Sequence, residues 1–260
     1  MKNHSVSGWV VRIVSALSYV VMVAVNGLAN ALPLYGVTTG AVSDSYVNLF
    51  APAGVTFAIW GVIYTLLAIL VIQSFLTNDH EPLLHKVLWA FSVSSWANTL
   101  WVIFWHQHAI GVTLILIVIV FVSLWVAVLT LNKIPDKAIS RWIVMPLHVY
   151  VAWISVAVIA NTTTALVSIG FDGWGIDPAW WTMGVMLVGA LVAIGSAKRL
   201  RSTAILAVFI WAYFGILLKH VSVNPGFNYG YPGVIVTASA ALAAFVFAWL
   251  GLYQQRLQSQ

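Results

Sequence analysis

Trp153, Ala157 and Asn161 stand four and four residues apart in an otherwise apolar run. On an α-helix that spacing puts all three on one stripe. A large ring, a small residue and an amide in a row read as the wall of a binding pocket. The ring offers a flat apolar surface, the small residue leaves room, and the amide hydrogen-bonds a polar edge. Two other sets share the pattern: Phe57, Trp60 and Tyr64 at spacings of three and four, and Asn98, Trp101 and Trp105 likewise. These residue types suit the wall of a pocket rather than the making or breaking of bonds. Nothing in the chain resembles a P-loop, a dinucleotide fingerprint, an HExxH site or a nucleophile elbow. Serine, histidine and acidic residues do not converge in any apolar run, which argues against ordinary hydrolysis or phosphoryl transfer.

The elements that must position these residues are membrane helices. The mean hydropathy is +0.99 and 62% of residues are apolar, whereas only 7% are charged. A soluble domain of this size sits nearer half apolar, so the chain is predicted to be an all-α integral membrane protein whose main partner is the bilayer. Eight stretches approach the roughly 20 residues that a span requires: 10–31, 52–76, 85–105, 109–131, 144–168, 178–196, 203–219 and 232–253. No alternation of the strand kind interrupts them, so a barrel is excluded. Pro52, Pro178 and Pro232 are placed in the first turns of their spans, with Asp177 as a cap. Pro146 falls in the first turns of the fifth. The longest connection, 31–51, contains a polar and flexible Gly36–Gly40 stretch, and loops of this length tend to be disordered or functional.

Charge sets the expected topology. With the N-terminus cytoplasmic, Lys2, Arg12, Lys86, Lys133, Lys137, Arg141, Lys198, Arg199, Arg201 and Arg256 all lie inside, and Lys219 alone lies outside. The opposite orientation reverses that ratio, so both termini are predicted to be cytoplasmic in a plasma-membrane, multi-pass protein. Asp44, Asp172 and Asp177 then fall outside, and Asp79, Glu81 and Asp136 inside. The net charge of +5 follows from this flanking pattern and does not point to nucleic acid. Lys2, Arg12 and the Ala29–Ala31 segment also match a secretory leader. The apolar run is long for a leader, and Asn26 interrupts it. No acidic or basic residue lies deep within a span, which counts against ion-coupled transport and leaves a facilitator for an apolar solute open.

Not all fourteen tryptophans carry the same meaning. Trp9, Trp89, Trp142, Trp174, Trp180, Trp181 and Trp249 fit an interfacial belt. Counting from the outer surface, Trp60 lies about eight residues deep, roughly 12 Å, and Asn98 and Asn161 roughly 10 Å. For Trp60 and Trp153, packing in a bundle core and lining a pocket are equal alternatives. For Asn98 and Asn161, a structural role, bonding each other or a backbone carbonyl, and contact with a ligand are equal alternatives. His106, His108 and His220 gather near the outer surface, but residues two apart do not share a helix face, so they read as solvated loop histidines rather than metal ligands. His148 reads as a helix–helix hydrogen bonder, and Thr162, Thr163 and Thr164 as bonding backbone carbonyls. The absence of cysteine excludes disulfides and thiolate sites.

Three segments together resemble the TspO family of tryptophan-rich sensory proteins, related to the mitochondrial translocator protein. They are Pro52–Tyr64 with its proline, tryptophan and tyrosine; Asn98–Phe104 with its asparagine and tryptophan; and Tyr150–Trp153 with Ala157 and Asn161. The resemblance covers about 9–168. It implies a five-helix core at 1–168 around a pocket for porphyrins, sterol-like molecules or synthetic aromatic ligands, with 31–51 as its lid and 169–260 adding three helices in the same membrane domain. Phe57, Trp60, Tyr64, Asn98, Trp101, Trp153, Ala157 and Asn161 are the implied ligand-binding residues. No cofactor is obligatory; porphyrin or haem is the implied ligand, and homodimers occur in such a family. The chain departs from the pattern in having only Pro52 where paired prolines are usual, and in lacking prolines after Trp101. The roles linked to the family are binding, transport, breakdown and stress signalling, in receptors and carriers alike.

Overall fold

The computed structural model describes residues 6–77, 82–135 and 139–258. Lys2, Asp79, Glu81, Asp136 and Lys137 of the charge reading lie outside the described residues, as does the side chain of Arg256. In chain order the helices are α1 (Val6–Ala31), α2 (Thr39–Ser45), α3 (Ile59–Leu76), α4 (Pro82–His106), α5 (Ile110–Leu131), α6 (Arg141–Ser168), α7 (Pro178–Arg199), α8 (Thr203–Val221) and α9 (Pro232–Gln258). No strand occurs among the described residues. Eight of the helical stretches are long and apolar enough to cross a membrane, and they correspond one for one to the eight expected spans.

The exterior is apolar, as a bilayer demands. On α5 the stripe Ile115, Val118, Val122 and Val126 is exposed, while Ile117, Val120, Leu124 and Ala127 on the other side are buried. A water-facing stripe would carry charge, whereas this helix is apolar all round. The helices therefore contact lipid.

Helix ends are closed by local chemistry. Asp177 accepts from the Ala179 N–H at 2.7 Å, and Pro178 occupies the first turn of α7, both as expected. Pro232 begins α9 and Pro146 lies within α6. At the C-terminus of α4 the Ala109 N–H reaches the Phe104 carbonyl and the His108 N–H the Trp105 carbonyl, each at 3.0 Å. His108 takes the left-handed conformation, φ 56°, that such a cap requires. The same pair of bonds closes α6 at Gly170 and α7 at Arg201.

Three expectations need correction. The Gly36–Gly40 stretch is structured: Leu34–Gly36 forms a 3-10 turn and α2 begins at Thr39. The second span does not begin as an α-helix at Pro52. Residues 54–58 form a 3-10 turn and α3 starts only at Ile59, so Phe57 is not on one α-helical face with Trp60 and Tyr64. The physical reason is that Gly54, Val55 and Thr56 are weak helix formers and that the Thr56 carbonyl is taken by the Trp211 Nε1–H at 2.8 Å. The depth estimate changes accordingly, since a 3-10 turn rises about 2.0 Å per residue. Finally, Arg12 is not a solvated flank. It lies inside α1 and is fully buried. Its guanidinium donates to the carbonyls of Ser74 (2.7 Å), Gly8 (2.9 Å) and Thr77 (3.0 Å). It thus supplies the cation that the last turn of α3 lacks in its own sequence.

The chain divides into two compact units. The first comprises Met1–Val42 and Ile59–Ile154, the second Ser43–Ala58 and Ser155–Gln260. In the first, α4 packs against both α5 and α1, and α1 also against α3. A polar seam joins α1 to α4: Ser15 Oγ donates to the Leu88 carbonyl and lies 3.1 Å from Ser92 Oγ. In the second unit α7, α8 and α9 pack mutually, and the 54–58 turn rests on α8. The break falls within α6, between Ile154 and Ser155.

Candidate ligand-binding site

The first unit gathers two sets of aromatic rings. On α4, Asn98, Trp101 and Trp105 follow the three-and-four spacing, and the two indoles stack at 5.1 Å and 20°. Trp105 Nε1 donates to the Thr39 carbonyl at 3.1 Å, which fixes its ring. On α3 and α6, Trp60 stacks on Tyr64 at 5.4 Å and meets Trp153 edge-on at 6.3 Å and Tyr150 at 6.1 Å. Offset and edge-on contacts of this kind contribute about 0.5–1.5 kcal/mol each beyond their buried area. Trp153 is 3% exposed and Trp101 8%, whereas Trp174 and Trp180 are 76% and 69% exposed. Trp101 and Trp153 are thus interior and Trp174 and Trp180 peripheral, whereas Trp60 and Trp249 are both half-buried.

Helix α1 supplies what the sequence reading missed. Asn26 Nδ2 donates to the Met22 carbonyl and to Asn98 Oδ1, both at 2.9 Å. The carbonyl partner fixes the Asn26 amide, and Asn26 in turn fixes that of Asn98, because a flipped Asn98 would set two NH2 groups against each other. Asn98 Nδ2 is left buried with no hydrogen-bond partner among the described residues, and so is Trp101 Nε1 one turn further on. Two buried N–H donors on one helix face thus lack acceptors, an arrangement that costs stability unless something supplies them. Tyr19 Oη donates to the Tyr64 carbonyl at 2.9 Å, and Tyr150 Oη points at Met22 Sδ at 3.8 Å. Met22 thus meets Tyr150 through its sulfur and Asn26 through its carbonyl. The Tyr19, Met22, Asn26 spacing of three and four was available as a signal, but Asn26 read only as an interruption of the run.

Trp60, Tyr64, Asn98, Trp101 and Trp153 belong to the first unit; Phe57, Ala157 and Asn161 belong to the second. Trp153, Ala157 and Asn161 do share α6, so their stripe exists as expected. Ala157 is half-buried and Asn161 buried. Asn98 bonds Asn26 rather than Asn161. In the second unit Asn48, also missed, is within 3.5 Å of Thr164 Oγ1 and accepts from Thr163 Oγ1 at 3.2 Å. Thr162, Thr163 and Thr164 bond to carbonyls one turn back, as expected.

The histidines are not uniformly solvated. His106 is 1% exposed, with Nδ1 2.7 Å from the Val102 carbonyl, and His220 is fully buried with Nε2 2.9 Å from the Leu49 carbonyl. The apolar surroundings that bury them could not be read from a turn sequence. Among the described residues no group of three or more histidine or acidic side chains stands where it could hold a metal.

A multi-pass helical membrane protein with interior tryptophan rings and buried amide donors is the class that fold and site define. The chain belongs to the TSPO-like protein family, which matches it over residues 12–252. The match runs through all eight spans, so α7, α8 and α9 fall within it. No curated protein and no solved structure gives a significant match.

Proposed function

We propose that the protein binds a flat lipophilic ligand, a tetrapyrrole such as porphyrin or haem or a related aromatic or sterol-like molecule, within the membrane. The observation that carries this reading is the pair of acceptorless donors, Asn98 Nδ2 and Trp101 Nε1, beside the interior rings. A ligand with carbonyl or carboxylate oxygens satisfies both. Because the rings already touch, the ligand takes the place of ring–ring contacts between Trp60 and Trp153 rather than filling an open hole. The charge asymmetry supports a reading with both termini in the cytoplasm and the 31–51 loop at the outer surface of the plasma membrane.

Titration of the detergent-purified protein with protoporphyrin, followed at the Soret band, tests the reading. Saturable binding is expected, weakened about tenfold or more by Trp153→Ala or by Trp60→Ala, the loss of one ring contact being of that order. No saturation, or parent-like binding by both variants, overturns it. The alternative is a facilitator for a small amphipathic solute, favoured by the Ser15–Ser92 seam between α1 and α4. Solute uptake into proteoliposomes that does not require Trp153 decides for that alternative.

A further inference from the structure

Helix α8 carries a second stripe at spacings of four and four: Trp211, Gly215 and Lys219. Each grips the 43–58 segment of the same unit. Trp211 Nε1 donates to the Thr56 carbonyl at 2.8 Å. The Gly215 carbonyl accepts from the Ala53 N–H at 2.9 Å. Lys219 Nζ pairs with Asp44 at 2.9 Å. His220, the next residue, adds its bond to the Leu49 carbonyl. The fit at the centre is tight. A Cβ on Gly215 would fall against the Thr56 side chain, 2.8 Å from Cγ2 and 2.9 Å from Cβ. Real Cβ contacts are not that short, so only glycine lets the segment lie so close to the helix. The four contacts meet the segment at 44, 49, 53 and 56, spread along it rather than gathered at one point.

Thr56 immediately precedes Phe57, and α3 with Trp60 begins two residues later. We propose that α8 is a positioning helix: its Trp211–Gly215–Lys219 stripe straps down residues 44–56, and the strap sets the placement of Phe57, a residue of the implied ligand-binding set. The ligand part of this inference rests on the binding function proposed above. The strap itself does not. Trp211 and Gly215 are positioning residues and touch no ligand.

Hydrogen exchange and ligand release test it together. Trp211→Phe keeps a ring and removes the N–H; Gly215→Ala drives a methyl group into Thr56; Gly215→Ala with Thr56→Gly restores the space. The two single variants are expected to raise exchange across residues 46–57 while leaving that of Ile110–Leu131 unchanged, and to speed protoporphyrin dissociation about tenfold, the effect of one lost hydrogen bond. The double variant is expected to return both readouts toward the parent values. Unchanged exchange at 46–57 overturns the strap whether or not porphyrin binds. Raised exchange with unaltered dissociation overturns the positioning role. A parent protein that binds no protoporphyrin counts against the binding function and not against the strap, which the exchange data decide alone.

Discussion

Arg12→Met is expected to destabilise the protein by about 3 kcal/mol, the order found when one partner of a buried polar or charged set is removed. Arg12 is fully buried and serves the carbonyls of Ser74, Gly8 and Thr77 at 2.7–3.0 Å. Methionine fills much of the same volume, so the loss isolates the hydrogen bonds rather than a cavity. The carbonyls at the end of α3 are then left in an apolar setting with nothing to accept. Arg12→Lys keeps the charge, but one ammonium cannot present the planar fork that reaches carbonyls on two helices, so it is expected to recover less than half of the loss. Thermal unfolding of the detergent-solubilised protein measures this. A change within about 0.5 kcal/mol for Arg12→Met, the range of an unimportant surface substitution, contradicts the assignment.

Gly189→Ala is expected to cost about 2 kcal/mol, although alanine is the better helix former by about 1 kcal/mol. A Cβ at residue 189 would stand 2.6 Å from Tyr213 Oη. That hydroxyl donates to the Met186 carbonyl at 2.7 Å, and its ring is fully buried against Phe245 at 5.0 Å, so it cannot swing aside. Tyr213→Phe alone should cost about 1 kcal/mol, the net worth of one hydrogen bond. Combined with Gly189→Ala it removes the clashing atom, and the next neighbour, Ile159 Cδ1, is at an ordinary 3.6 Å. The double variant is therefore expected to be more stable than Gly189→Ala alone, a non-additivity that a double-mutant cycle reads directly. Simple additivity would show that α7 and α8 are not held apart by this contact.

The span count, the peripheral tryptophans and the Asp177 cap were legible because each follows from a local pattern: hydropathy over a window, an aromatic at a span end, an acid before a proline. The interior aromatic faces were legible because helical spacing is local too. What the sequence hid depends on partners far along the chain. Arg12 read as a topological flank because the helix end it serves lies at residues 74–77. Pro52 read as a helix start because nothing local reveals that Trp211, 155 residues on, takes the Thr56 carbonyl and leaves a 3-10 turn at 54–58. Asn98 was singled out, but its partner Asn26 was not, since one amide in an apolar run gives no hint of a second one 72 residues away. The spacing of Trp211, Gly215 and Lys219 was as regular as that of Trp153, Ala157 and Asn161. It was passed over because glycine and lysine offer no chemistry until their neighbours are known.

On the proposed binding function, Asn98 and Trp101 hold their amide and indole N–H groups ready for an acceptor on a ligand. The most direct measurement of this is the protoporphyrin dissociation constant of Trp101→Phe and Asn98→Leu beside the parent, by Soret-band titration, with unfolding temperatures as the control for folding. Trp101→Phe keeps a ring to pack on Trp105 and removes only the indole donor. It is expected to bind about tenfold more weakly, at the upper end of one neutral hydrogen bond, without loss of thermal stability. Asn98→Leu should weaken binding similarly, but with some loss of stability because Asn26 also loses its partner. Parent-like affinity in both variants would contradict the account.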